Sequence, residues 1–117
     1  MNSRINIKEE QLQVLSKTIA SGGFVESDVI TLGSYAPNGY VTIQVETTGP
    51  GKLRIQAYCS INGSKFVIPH GATDVITAHE AGDDMYVVKT KMAVNKIQFK
   101  FTASDGQVVM SAWILVQ

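Results

Sequence analysis

Polar and apolar residues alternate along most of this chain, and the period of the alternation changes near residue 23. Before that point Ile7, Leu12, Leu15 and Ile19 are spaced roughly as one helical stripe, with Gln, Lys and Glu between them. Asn6 followed by Glu9 fits a capping box, and Gly22-Gly23 stands where a helix would end. Thr18 and Ile19 are β-branched, however, and terminal arms are often extended until they meet a neighbour. Residues 1–22 are therefore expected as an N-terminal arm, helical or extended, ahead of a β-sandwich domain over 23–117.

From Gly23 onward short alternating runs are separated by Gly, Pro, Asn and Asp, which is strand punctuation. Phe24 to Leu32 reads as one strand. Tyr40 to Thr48 sends Val41, Ile43 and Val45 to one face, and Gly49-Pro50-Gly51 breaks it. Lys52 to Ile61 sends Leu53, Ile55, Ala57, Cys59 and Ile61 inward and Lys52, Arg54, Gln56, Tyr58 and Ser60 outward. Asn62-Gly63 signals a two-residue hairpin that returns Lys65 to Ile68 antiparallel to it. Val75 to Ala78 reads as a brief edge piece, Glu80 to Asp84 as an acidic turn, and Met85 to Lys91 as the next strand. Asn95 to Ala103 buries Ile97, Phe99, Phe101 and Ala103, and Ser104-Asp105-Gly106 turns it into Gln107 to Val116. The pattern predicts an all-β, antiparallel sandwich of about seven or eight strands, with a jelly-roll-like connection as one option.

The last strand departs from the rule. Val108, Met110, Ala112, Ile114 and Val116 share one face while Val109, Trp113 and Leu115 share the other with Ser111 the main polar interruption, so both sides are apolar. A strand with a wet face alternates with polar residues, so this one is expected to be covered on both sides. The cover is either the N-terminal arm, through Leu12, Leu15 and Ile19, or a second copy of the chain. Leu12, Leu15, Ile19, Val109, Trp113 and Leu115 are accordingly the candidate oligomer interface.

Composition narrows the function classes. With 117 residues the chain is sized for one folding unit, and 44% hydrophobic against 17% charged residues exclude a disordered protein. Ten bases balance ten acids, which removes the electrostatic drive toward nucleic acid or an anionic membrane. No run is long and apolar enough for a helical span, and the first ten residues lack a signal-type apolar block, so synthesis in the cytoplasm is expected. The single Cys59 has no internal disulfide partner and lies on an apolar-in position, where a thiol packs as a small hydrophobe. The charge is uneven: residues 74–84 hold four acids and no base, and 89–100 hold four lysines and no acid. Such patches could meet across a subunit boundary.

Candidate chemistry is sparse. His79, Glu80, Asp83 and Asp84, with His70 and Asp74 before them, form the densest reactive cluster, but the spacing matches neither a zinc nor an EF-hand pattern. A solvated turn is the preferred reading. A small metal-dependent hydrolase would need two or more of His70, His79, Glu80, Asp83 and Asp84 to converge in a pocket. A carbohydrate-binding module would need Tyr35, Tyr40, Tyr58 or Trp113 as an exposed stacking platform. The outward stripes Lys52, Arg54, Gln56, Tyr58 and Lys96, Gln98, Lys100 could offer a polar, partly basic face to a glycan, although a wetted sheet face explains them as well. No cofactor or metal is implied.

The stretch Ala57 to Pro69, with its S-x-N-G-x-x-F-x-x-P pattern, is followed by a Gly-bearing acidic turn, a Lys-bearing strand and a terminal strand ending in Gln. In this it resembles small all-β proteins encoded in bacteriophage and prophage structural-gene regions, over roughly residues 28–117. The resemblance implies a virion- or tail-associated β-sandwich that homo-oligomerises, with other virion proteins as further partners, and it carries over no catalytic residue. The expected function is thus non-enzymatic and structural.

Overall fold

The computed structural model describes residues 10–31, 41–68, 74–88 and 96–116 of the chain. They are built from nine strands: β1 (Glu10–Ile19), β2 (Phe24–Glu26), β3 (Ile30–Thr31), β4 (Val41–Thr48), β5 (Lys52–Ser60), β6 (Ile76–His79), β7 (Gly82–Val88), β8 (Lys96–Ser104) and β9 (Val108–Val116). The arm over 10–19 is extended. Its β-branched and polar residues pair with β9, from Glu10 opposite Val116 to Ile19 opposite Val108.

All pairing is antiparallel, in two sheets. Sheet A has the order β1-β9-β4-β7, and sheet B has β2-β8-β5-β6 with β3 also on β8. The order nests the chain: the first strand lies beside the last, β2 and β3 beside β8, β4 beside β7 and β5 beside β6, an order consistent with the jelly-roll-like connection expected from the sequence. Inward residues of both sheets merge into one hydrophobic cluster, in which Phe99 and Phe101 of β8, Ile43 of β4, Leu53 and Ile55 of β5 and Ile114 of β9 are fully buried. No helix among the described residues is long and apolar enough to cross a membrane.

The alternation expected for β4, β8 and β9 holds, but the connections differ from their turn signals. Asn62-Gly63 does not close a two-residue hairpin. Gly63 takes a φ of 80° while Asn62 stays out of the positive-φ region that a type I′ turn needs. Instead the Asn62 Oδ1 accepts from the Ser64 and Lys65 N–H groups at 2.9 and 3.1 Å, which rounds off a wider loop. The return is a single bridge between Cys59 and Val67. Beyond the end of β5, Ile61 turns out to 72% exposure instead of inward. Ser60 and Gln56, expected outward, are buried: Ser60 lies under this loop with its hydroxyl accepting from Gly63 N–H at 2.9 Å, and Gln56 is central in a strand flanked by β8 and β6.

Gly106 likewise does not pair its flanking strands, because β8 belongs to sheet B and β9 to sheet A. The 49–51 and 105–107 crossings lie against each other, with Gly51 N–H donating to the Gln107 carbonyl at 3.0 Å. A Cβ on Gly51 would fall 2.2 Å from the Gly106 carbonyl oxygen, so only glycine fits there. The strand expected over 24–32 splits at Ser27. Its hydroxyl accepts from the Phe99 N–H at 3.0 Å, where a backbone carbonyl would otherwise serve, while its own carbonyl accepts from Gln98 Nε2 at 2.8 Å.

Candidate functional site

Sheet A presents its outer face through β9, β4 and β7, and the register sets which residues meet. Leu115 lies opposite Thr42, which lies opposite Val87; Trp113 lies opposite Gln44, which lies opposite Met85. On the far side of β9, Trp113 faces Gln13 of β1. The result is two apolar pairs, Trp113 and Leu115 on β9 and Met85 and Val87 on β7, separated by a polar stripe on β4. Met85 is 60%, Val87 58% and Leu115 39% exposed, and Trp113 and Val109 are half-buried. The described residues of the chain therefore leave this face in water, at an apolar cost that a covering surface would relieve.

The N-terminal arm does not cover that face. It joins the edge of β9 within the plane of the sheet, so its apolar side chains follow the inward register. Ile19 lies in the core at 2% exposure and Leu12 packs against the same cluster, so neither is at an outward surface. Leu15 is exposed at a bulge where Ser16 takes a φ of 52° and donates its N–H to the Ser111 hydroxyl at 2.9 Å. Of the six residues expected at an interface, Leu15, Val109, Trp113 and Leu115 reach the outside and Leu12 and Ile19 do not. Met85 and Val87 were missed because the alternation of a strand beginning in Asp-Asp reads as a turn running into a core strand. Their neighbour relation to Trp113 and Leu115 exists only through β4.

The outer face of sheet B brings together the two polar stripes of β5 and β8, with Gln56 opposite Lys100 and Tyr58 opposite Gln98. The Lys100 ammonium sits 4.3 Å from the Phe24 ring centroid and 6.0 Å from that of Tyr58. The Arg54 Nε donates to Asp74 at 2.6 Å, so one acid of the 74–84 patch is neutralised within the chain. Of the aromatic residues weighed for stacking, Tyr58 is half-buried beside this lysine and Trp113 lies on the other sheet. Tyr35 and Tyr40 lie outside the described residues.

His79 ends β6 at the crossing to β7 and is buried. Its Nε2 is 3.1 Å from the Gly82 carbonyl, which only accepts, so Nε2 carries the proton and donates. In the neutral ring Nδ1 then accepts from the Tyr86 hydroxyl at 2.6 Å. Burial foremost, then the nearby charge of Asp84, push the Tyr86 phenol above its ordinary value. Both ring nitrogens are thus committed to the crossing. Beside it a shallow depression of about 400 Å³ is lined by Lys52, Glu80, Asp83, Asp84 and Tyr86, among others. Among the described residues no three of His, Cys, Asp and Glu gather as metal ligands, and His70 lies outside them. The acidic turn expected over Glu80 to Asp84 is shorter, since Gly82, Asp83 and Asp84 already pair with β4.

No family model matches the chain, and no curated protein matches it in sequence. Among solved structures it is similar in fold to the SPBc2 prophage-derived protein YomS, at a TM-score of 0.53 with 11% identity over 97% of this chain and 99% of that one. Weaker likenesses are to PirA, at a TM-score of 0.45 with 17% identity over 97% of each chain, and to FlhE, at 0.44 with 10% identity over 93% and 94%.

Proposed function

We propose that the chain is a non-enzymatic building subunit of a phage-like assembly, which associates with copies of itself through the outer face of sheet A. The observation that carries this reading is the exposure of Met85, Val87 and Leu115 beside a half-buried Trp113 on one sheet face. Aromatic and Met side chains of this kind are enriched at protein contacts, and burying them between copies supplies the free energy of association. The mechanism is assembly, with no turnover. The fold shared with a prophage-derived protein supports the phage-like setting.

Light scattering across a concentration series tests it. The wild-type chain is expected to form a defined multimer, and Trp113→Asp to shift it to a smaller species with an unchanged far-UV circular dichroism spectrum. Trp113→Ala is expected to weaken association by about 2 kcal/mol or more, roughly thirtyfold. A wild-type chain that stays monomeric at every concentration ends the reading. So does a multimer indifferent to both Trp113→Asp and Leu115→Asp.

A further inference from the structure

The two sheets end in strands that differ in how they discourage stray pairing. β1 carries the bulge at Leu15 and Ser16, which breaks its register against β9. β2 and β3 are three and two residues long and are interrupted at Ser27, and β6 has four residues. These are the usual protections of a sheet edge: shortness, interruption and bulging. β7 has none of them. It runs seven residues, Gly82–Val88, pairs with β4 without a register shift, and contains no Pro or Lys. Among the described residues nothing pairs with its other edge.

Two features of β7 point to what covers that edge. The Met85 N–H donates to the carboxylate of its own neighbour Asp84 at 2.8 Å, a side chain standing in where a ladder carbonyl would be. The second is the sequence about Tyr86. Exposed apolar residues flank it at one position on each side, Met85 at 60% and Val87 at 58% exposure. A strand paired antiparallel with its own copy about Tyr86 sets Met85 of one chain against Val87 of the other. The strand is complementary to itself in its exposed apolar positions, which is what an isologous two-fold contact requires.

We propose that two copies of this chain join by pairing β7 edge to edge, antiparallel about Tyr86, so that sheet A runs unbroken across a two-fold axis. The proposal rests on the self-association reading above and names its first contact. Joining the edges also doubles the apolar outer face, since the Met85 and Val87 pairs of both chains become its centre.

The test uses the wild-type chain first. Amide hydrogen exchange of Met85 and Val87 is expected to slow by about tenfold or more as concentration carries the chain from monomer to multimer. Tyr86→Cys in a Cys59→Ala background is then expected to give a covalent dimer on mild oxidation, because the two-fold sets position 86 against itself. If the wild-type chain is monomeric throughout, the assembly reading and the edge contact fall together. If it associates but the Met85 and Val87 amides exchange equally fast in both states, or no covalent dimer forms, edge pairing is overturned while association through the sheet face stands.

Discussion

Replacing Ser27 by alanine tests the account of how sheet B is held at its edge. Ser27 is 3% exposed, and its N–H donates to the Phe99 carbonyl at 2.8 Å while its hydroxyl accepts from the Phe99 N–H at 3.0 Å. Alanine keeps the first bond and removes the second. Phe99 is fully buried, so water does not reach its amide to replace the lost acceptor. Leaving one buried backbone donor unmade costs about 1–3 kcal/mol. At about 4 °C per kcal/mol for a domain of this size, the melting temperature falls by about 4–12 °C. Urea and thermal denaturation followed by circular dichroism measure the loss, and hydrogen exchange at the Phe99 amide locates it. Ser104→Ala, at an exposed end of the same sheet, is the control and stays within about 0.5 kcal/mol of wild type. The reasoning is refuted if Ser27→Ala costs no more than the control, or if stability drops while the Phe99 amide stays as protected as in the wild type.

Three further outcomes follow from the same geometry. Gly51→Ala is expected to prevent folding or cost more than about 4 kcal/mol, because the new Cβ meets the backbone of Gly106, whereas Gly22→Ala, with a φ of 83° and open space around it, costs about 1–2 kcal/mol; equal midpoints in urea for the two variants reject the close-approach argument. The folded state holds the Tyr86 phenolic proton more tightly than the unfolded chain, so this contribution is intact below the ordinary phenol value of 10.0 and is lost as pH rises through and beyond it. Denaturation midpoints taken on either side of that value should therefore fall more steeply for wild type than for Tyr86→Phe, and parallel declines count against it. Cys59 is 4% exposed and burial pushes its thiol up, so a thiol reagent at neutral pH should modify it only in denaturant; equal labelling rates with and without urea would show the site to be open.

The N-terminal segment illustrates a limit of local pattern. Its spacing satisfied a helical stripe, yet residues 10–19 are extended, because pairing with β9 satisfies their backbone groups and seats Val14 and Ile19 over the core. The candidate interface was half legible for the same reason. That β9 has two apolar faces is written in its alternation. That Leu12 and Ile19 enter the core while Met85 and Val87 join Trp113 outside depends on β1 flanking β9 and on β4 separating β9 from β7.

The all-β class, the inward residues of β4, β8 and β9 and the inward placement of the lone Cys59 were settled by sequence alone, since a strand's period of two is a property of its own backbone. Tertiary structure decided which strands pair, that the glycine turns at 49–51 and 105–107 cross between sheets, and which edge the described residues leave unpaired. Those outcomes depend on contacts between residues far apart in the chain, and no local alternation encodes its partner.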